Sequence, residues 1–257
     1  INTRIMIVTM AQLRAMSNPD DTAIYYMRDR GKEGMWYWDA ADITSVDDTG
    51  TINTQGSGGT KRVYKRIFQR IIYPEWWGAT GDNATNDAPF FNQMFAWMER
   101  VTRGSYEVQF LHNTYYIATR IELPRTLVSL PNASSPYLRI HGPGVAIRTD
   151  QAIDMIWRVP LTDGQVSLMN NNYKLLMDGI YLYGDRSTVG QTAMRISCFY
   201  GAEFENMHYL GVDTGVIIYF FTMSTFRSSF FTVNGSVDIK MQSLAGIVGT
   251  QEQPGSA

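Results

Sequence analysis

The residues best equipped for chemistry are acids in the C-terminal half of the chain: Asp178, Asp185, Glu203, Glu205 and Asp213. Hydrolysis of a glycosidic bond needs two carboxyl groups flanking it, roughly 5 to 10 Å apart depending on the stereochemical outcome. Asp178 and Glu205 occupy like places in two similar segments, Met177-Asp178-Gly179-Ile180-Tyr181-Leu182-Tyr183-Gly184 and Phe204-Glu205-Asn206-Met207-His208-Tyr209-Leu210-Gly211. Stacking those segments would bring the two acids together, which makes them the catalytic candidates. Acids are also common where short strands turn, satisfying backbone amides or facing water, and that structural role is the weightier reading. A calcium-assisted lyase would want a dense Asp cluster, and the segments contain none. His112, His141 and His208 lie far apart without metal-ligand spacing and read as turn or surface residues, so neither a metal nor a cofactor is expected. Ser187, Ser228 and Ser229 lack a Gly-x-Ser-x-Gly elbow, which leaves covalent catalysis without support.

Aromatic residues are a second chemical resource. Tyr181, Tyr183, Tyr200, Tyr209, Tyr219, Phe221 and Phe231 exceed what a narrow core holds, and strand alternation turns some of them outward. Outward rings stack on sugars or bury against neighbouring subunits. Tyr181, Tyr183 and Tyr209 are the contact candidates, with subunit burial the stronger of the two readings.

The repeats say what must position these groups. The two segments above are followed by a degenerate third copy from Phe226, at intervals of 27 and 22. A second element recurs as Ala193-Met194-Arg195-Ile196, Val216-Ile217-Ile218-Tyr219 and Val237-Asp238-Ile239-Lys240, at intervals of 23 and 21. A period of twenty-odd residues built of short strands is that of a stacked β-solenoid, in which each coil offers the same strand to the next. At about 4.8 Å per coil, six or so coils would form a column roughly 30 Å long.

Upstream, Phe90, Phe91, Met94, Phe95, Met98 and Val101 make one apolar face of a helix from Ala88 to about Arg103, with Pro89 in its first turn and Gly104 beyond its end. Asn86 or Asp87 is placed to cap its first amides. Such a helix suits the open end of a column, where strand edges and core side chains would otherwise be bare. The first 68 or so residues read as a small mixed β unit: a short helix over Met10 to Met16 and strands over Ala23 to Arg28 and Gly34 to Trp38. Gln55-Gly56-Ser57-Gly58-Gly59-Thr60 reads as a hairpin loop rather than a phosphate loop. Three Asn-x-Ser/Thr triplets, at Asn83, Asn132 and Asn234, read as turns, and residues 249–257 as linker-like.

Composition narrows the partners. The 257 residues carry a net charge of -2 with 44% hydrophobic and 18% charged residues, so there is no global attraction to nucleic acid. The one local basic cluster, Lys61 to Arg70, reads as a solvated or partner-facing strand edge. No run approaches the roughly 18 apolar residues needed to cross a bilayer, so no membrane insertion is expected. The single Cys198 excludes an internal disulfide.

The segment Trp76-Trp77-Gly78-Ala79-Thr80-Gly81-Asp82-Asn83-Ala84-Thr85-Asn86-Asp87 resembles the tryptophan-aromatic-Gly-Ala-x-Gly-Asp-x-x-Thr-Asp-Asp motif of pectate-lyase-like right-handed parallel β-helix proteins, specifically the bacteriophage tail-fibre and tailspike branch; Asn86 replaces one acid. Val108 to Ile117 is similar to that family's first coil, with His112-Asn113 in place of its proline-glycine, and Tyr137 to Gly144 to its second. Thr9 to Met16 and Gly34 to Asp39 look like the small domain preceding the helix in phage fibres. The resemblance implies an all-β chain: an attachment domain over 1–72, a connector and capping helix over 73–104, a parallel β-helix over 105–248, then the tail. It further implies a homotrimer on a virion, held to other tail or capsid proteins through the N-terminal domain and directed at a host cell-surface glycan. A polysaccharide depolymerase is the alternative, and a secreted bacterial enzyme of the same fold a third reading.

Overall fold

The structure, a computed structural model, describes residues 4–56, 61–101, 104–127, 136–159, 173–222, 225–232 and 237–242. The N-terminal unit comprises β1 (Ile5–Val8), α1 (Met10–Ala15), β2 (Ile24–Met27), β3 (Gly34–Asp39), β4 (Ile52–Gln55) and β5 (Arg62–Ile67), in the sheet order β1-β2-β3-β5-β4. Helix α1 starts on a capping box: the Thr9 hydroxyl accepts from the Gln12 amide at 3.1 Å, and the Gln12 side chain accepts from the Thr9 amide at 2.9 Å. This helix lets β1 and β2 run parallel, while the other pairings are antiparallel. Val8, Leu13, Tyr25, Met27, Trp36 and Tyr64 pack beneath it as a separate core.

β4 and β5 pair antiparallel on either side of the Gly-rich stretch, as a hairpin does; its residues 57–60 lie outside the described residues. The basic segment departs from its expected place. β5 is an interior strand between β3 and β4, not an edge. Lys65 is held by Asp39 and Asp42, each at 2.7 Å. Arg66 points inward and is 4% exposed, lying over the rings of Trp36 and Trp76. Two of the cluster's cations are therefore spent on internal contacts.

The rest of the chain begins with β6 (Ile71–Ile72), a 3₁₀ turn at Pro74–Trp76 and α2 (Ala88–Arg100). There follow β7 (Tyr106–Val108), β8 (Thr114–Tyr116), β9 (Ile121–Glu122), β10 (Tyr137–Arg148), β11 (Asp154–Arg158), β12 (Lys174–Tyr183) and β13 (Thr192–Tyr200). Then come β14 (Glu203–Glu205), β15 (His208–Leu210), β16 (Thr214–Thr222), β17 (Thr225–Arg227), β18 (Phe230–Thr232) and β19 (Val237–Gln242). The chain alternates between two sheets. One stacks β6, β7 with β8, β10, β12, β14 with β15, and β17 with β18; the other stacks β9, β11, β13, β16 and β19. Every pairing in both sheets is parallel, which is the ladder of a β-solenoid.

In the first sheet Met177 faces Phe204 and Phe204 faces Phe226, so the intervals of 27 and 22 read from the repeats are the structural ones. The second sheet corrects the sequence alignment by one residue at the first step and by two at the second. Met194 faces Val216 and Val216 faces Ile239, giving intervals of 22 and 23 where the repeats read 23 and 21. A one-residue slip exchanges the two faces of a strand, so register follows burial. The run Val216 to Tyr219 is apolar throughout and buried on both faces, and it offers no alternation from which to read the slip.

Between the paired short strands sits a stacked corner in left-handed backbone: Gly179 at φ +74°, Asn206 at +52° and Ser228 at +48°. Either side of it the core fills with Leu175, Met177, Ile180, Leu182, Phe204 and Tyr209. Phe226 and Phe231 continue it as face-to-face stacks on Phe204 and Tyr209, at centroid separations of 4.6 and 4.5 Å.

Helix α2 buries Ala88, Phe91, Met94, Phe95, Trp97 and Met98, with Phe90 and Val101 half-buried against the same core. Trp97, absent from the sequence-derived face, packs on Trp77, Phe68 and Tyr106. Of the two residues expected to cap the helix, one does so. Asp87 makes no side-chain bond to the helix amides; its carboxylate turns back to accept from Thr80 N at 2.7 Å and Gly81 N at 3.1 Å. Asn86 instead accepts from Ala88 N at 3.3 Å and Ala118 N at 2.9 Å, tying the helix start to the first coil. The first sheet begins with β6, upstream of the helix, so the solenoid ladder starts at Ile71 rather than at residue 105.

Candidate functional site

Outward-facing residues of the first sheet form two rows, one on each side of the left-handed corner. In-register pairing places His141 beside Asp178, Asp178 beside Glu205, and Glu205 beside Arg227. The second row runs Ala146, Tyr181, His208, Phe230. Gly179 produces this arrangement: its kink resets the alternation, so that Asp178 and Tyr181, three positions apart, both face outward.

The structure thus sets the two catalytic candidates on adjacent coils, where strands lie about 4.8 Å apart. Their surroundings differ. Asp178 is clasped: one oxygen lies 2.9 Å from His141 Nδ1 and 3.7 Å from Arg139 Nη2, and the other accepts from Asn206 Nδ2 at 3.3 Å. Glu205 is exposed. The other acids are engaged elsewhere. Glu203 accepts from Lys174 at 2.6 Å, Asp185 takes the Ser187 amide at 3.0 Å and its hydroxyl at 2.8 Å, and Asp213 takes the Gly190 amide.

Tyr181 and Tyr183 are half-buried with ring centroids 6.2 Å apart, and His208 stands edge-on to Tyr181 at 4.2 Å. Burial holds the His208 imidazole below its ordinary range. Tyr209 must be removed from the contact candidates. It is fully buried, one position out of phase with the outward row, and its hydroxyl lies 3.6 Å from Met194 Sδ inside the core. Tyr219 is buried as well, which accounts for part of the surplus of aromatics. His141 and His208 lie in strands rather than turns.

Beside Tyr183 the surface sinks into an open depression of about 720 Å³, lined by Asn83, Tyr116, Arg148, Asp150, Asp185 and Arg186 among others. Tyr116, Arg148 and Tyr183 are successive in-register partners, so the depression borders a further outward row, two positions beyond the aromatic one. The Tyr116 hydroxyl donates to Asp150 at 2.7 Å and holds that carboxyl below the usual range. Arg148 reaches Asn83 at 3.5 Å. Charged hydrogen-bonding groups beside aromatic faces form a surface that suits hydroxylated rings better than flat apolar ligands. Among the described residues no group of three or more His, Cys, Asp and Glu side chains gathers for a metal ion, and no helix is long and apolar enough to cross a membrane.

Residues 6–69 match the family model described as the phage tail protein small four-stranded beta-sheet domain. The N-terminal unit is thus similar to a phage tail domain. Its fold is shared with the tailspike protein of Acinetobacter baumannii phage AM24, at a TM-score of 0.60 and 15% identity over 90% of this chain. This chain spans 38% of that tailspike's length. A second solved structure, the enzymatically active domain of tailspike protein 4 from bacteriophage CBA120, matches at a TM-score of 0.47 and 16% identity, over 87% of this chain and 32% of its own. The comparison with curated proteins finds no match. The domain match and the tailspike fold indicate a virion component, in line with the resemblance carried by the Trp76 to Asp87 motif. The matched segment ends at residue 69, beside the start of the solenoid at Ile71.

Sequence reasoning missed Tyr116, Arg148 and Asp150, because none of them falls within a recognised repeat. It also passed over Glu75, which lies within the 3₁₀ turn where the two units meet and is 2% exposed. One oxygen accepts from the Tyr115 hydroxyl and from Leu111 N, and the other has no hydrogen-bond partner among the described residues. Burial pushes this carboxyl up from its ordinary value of 4.5. The folded state therefore binds the proton more tightly than the unfolded chain does. The associated stability is fully present below the unfolded pKa and is lost as pH rises through the folded one. Glu75→Gln is expected to raise the unfolding midpoint at neutral pH and to flatten its decline above about pH 4.5, as read by thermal melts at several pH values. An unchanged slope would show that the carboxylate is already solvated.

Proposed function

We propose that the chain is the virion-proximal part of a trimeric tail fibre or tailspike with a structural and adhesive role. Its N-terminal unit attaches to other tail or capsid proteins, and a right-handed, pectate-lyase-like β-helix is presented toward host surface glycans. The observation that carries this reading is the order of parts: a segment matching a phage tail domain runs directly into a parallel solenoid of tailspike fold. Helix α2 serves as the cap of the column. β9 ends its sheet, and Asn92 meets its free edge by accepting from Glu122 N at 2.7 Å and donating to Arg120 O at 3.1 Å.

The outward Tyr181 and Tyr183 and the neighbouring depression are the proposed glycan-contact surface. Binding of purified protein to host capsule or lipopolysaccharide should weaken about tenfold in Tyr181→Ala with Tyr183→Ala, the loss of roughly 1.4 kcal/mol of ring contact. Equal binding by the variant would remove this surface from the proposal.

The adjacency of Asp178 and Glu205 favours a second reading, a depolymerase. Shortened oligosaccharides released by the native chain, and lost in Asp178→Asn with Glu205→Gln, would establish it. The clasp of His141, Arg139 and Asn206 on Asp178 instead supports a structural bridge across coils, under which that variant changes stability and no product forms with either protein.

A further inference from the structure

Among the described residues, a run of exposed apolar side chains lies on the N-terminal sheet, on the face opposite α1. In-register pairing sets Ile7 beside Tyr26, Tyr26 beside Met35 and Met35 beside Ile67, an unbroken row across four strands. These residues are 67%, 37%, 47% and 47% exposed. Ile5 and Tyr37 lie on the same face and are exposed as well. Alternation explains the row: the intervening residues Tyr25, Trp36 and Arg66 point to the buried side. We propose that this face is the contact between copies of this chain, made by the N-terminal units of the oligomer; the proposal rests on the trimeric reading above and locates its interface.

Three features select a second copy as the occupant. The first is area. Six large side chains, each more than a third exposed, present several hundred square ångströms of largely apolar surface, a patch of the size that marks an interaction site and of the order of the ~800 Å² that each partner gives to a stable interface. The second is charge. Lys65, a cation on this face, is neutralised at home by Asp39 and Asp42, so its charge is not left for a partner to meet. Apolar, charge-depleted patches are the mark of permanent homo-oligomeric interfaces, whereas exchangeable partners meet surfaces about as polar as the rest of a protein. The third is the edge. β1 ends the sheet with one strand neighbour, and its Ile-Met-Ile-Val sequence has none of the charges, prolines or bulges that keep an edge from pairing. The row thus finishes at a strand that has no neighbour on its outer side among the described residues.

The test uses the full chain. Light scattering gives the native mass, and Met35→Cys treated with a short bismaleimide reports whether this face meets its copy, with the parent's single Cys198 as background. Ile7→Glu with Met35→Glu supplies the disruptive variant, its fold checked by circular dichroism. The expected result is an oligomeric parent, cross-linked Met35→Cys and at least a tenfold weaker self-association of the charged variant. An oligomeric parent with no cross-link, and a folded charged variant that assembles as the parent does, would overturn this inference and leave the trimeric reading standing. A monomeric parent would overturn both. A monomer that binds another tail protein through this face, and loses it in the charged variant, would replace the copy by that partner. If the charged variant does not fold, the cross-link alone decides.

Discussion

Replacing Arg66 with alanine should cost about 3 kcal/mol or more and lower the unfolding midpoint by roughly 6 to 12 °C. The guanidinium donates to the carbonyls of Gly50 at 2.8 Å, Glu33 at 2.7 Å and Lys32 at 3.0 Å, while its plane covers Trp36 and Trp76 with centroids at 4.6 and 4.1 Å. Trp36 belongs to the N-terminal core and Trp76 to the core of the solenoid, so this one side chain joins two units. Alanine would leave one buried and two part-buried carbonyls without this donor and open a gap between the indoles. Arg66→Lys should recover little, because an ammonium cannot serve three diverging carbonyls and stack at once. Differential scanning calorimetry would detect the change, with the melt expected to broaden or split as the units uncouple. A midpoint within about 2 °C of the parent would show that water replaces the guanidinium at no net cost.

Arg66 also marks where sequence reading stopped. A cation within Lys61 to Arg70 reads as solvent-facing because charges are seldom buried. What overrides that prior is a set of backbone carbonyls brought together from residues 32, 33 and 50, none of which local pattern reveals. The solenoid was far more legible. Asp178-Gly179, Glu205-Asn206 and Arg227-Ser228 each place an outward polar residue before a corner that needs left-handed backbone, so the repeat carries its own register. The second sheet lacks such punctuation, and its repeats are out of step by one residue and then by two.

The candidate site was legible to the same degree. Asp178 and Glu205 were paired correctly because they precede the corner. Tyr209 was placed outward with Tyr181, although Tyr181 faces His208 in the ladder while Tyr209 faces Leu182. The depression around Tyr116, Arg148 and Asp150 draws on three separate coils and a loop, and it emerges only once the ladder is assembled. The apolar row of the N-terminal sheet is similar: Ile7, Tyr26, Met35 and Ile67 are unremarkable singly, and become a surface through strand pairing.

The corner provides the other large effect. Gly179→Ala should destabilise the column by about 3 kcal/mol, combining roughly 1 to 2 kcal/mol for a side chain held in left-handed backbone with the strain of a crowded contact. A Cβ at Gly179 would sit 2.7 Å from Pro143 Cα and 3.0 Å from Pro143 N, both backbone atoms that cannot rotate aside. Displacing Pro143 would disturb β10 where its pairing with β12 already shifts register, between His141 and Val145. Ser228 tests the conformational part alone. It shares the left-handed φ, so Ser228→Gly should be neutral or stabilise by up to about 1 kcal/mol, as glycine adopts that backbone without the Cβ penalty. Opposite signs at two stacked corners would tie both effects to one backbone conformation repeated along the ladder. If Gly179→Ala left the chemical-denaturation midpoint unchanged, the coil below would have to yield freely, and the corner would not set the column's register.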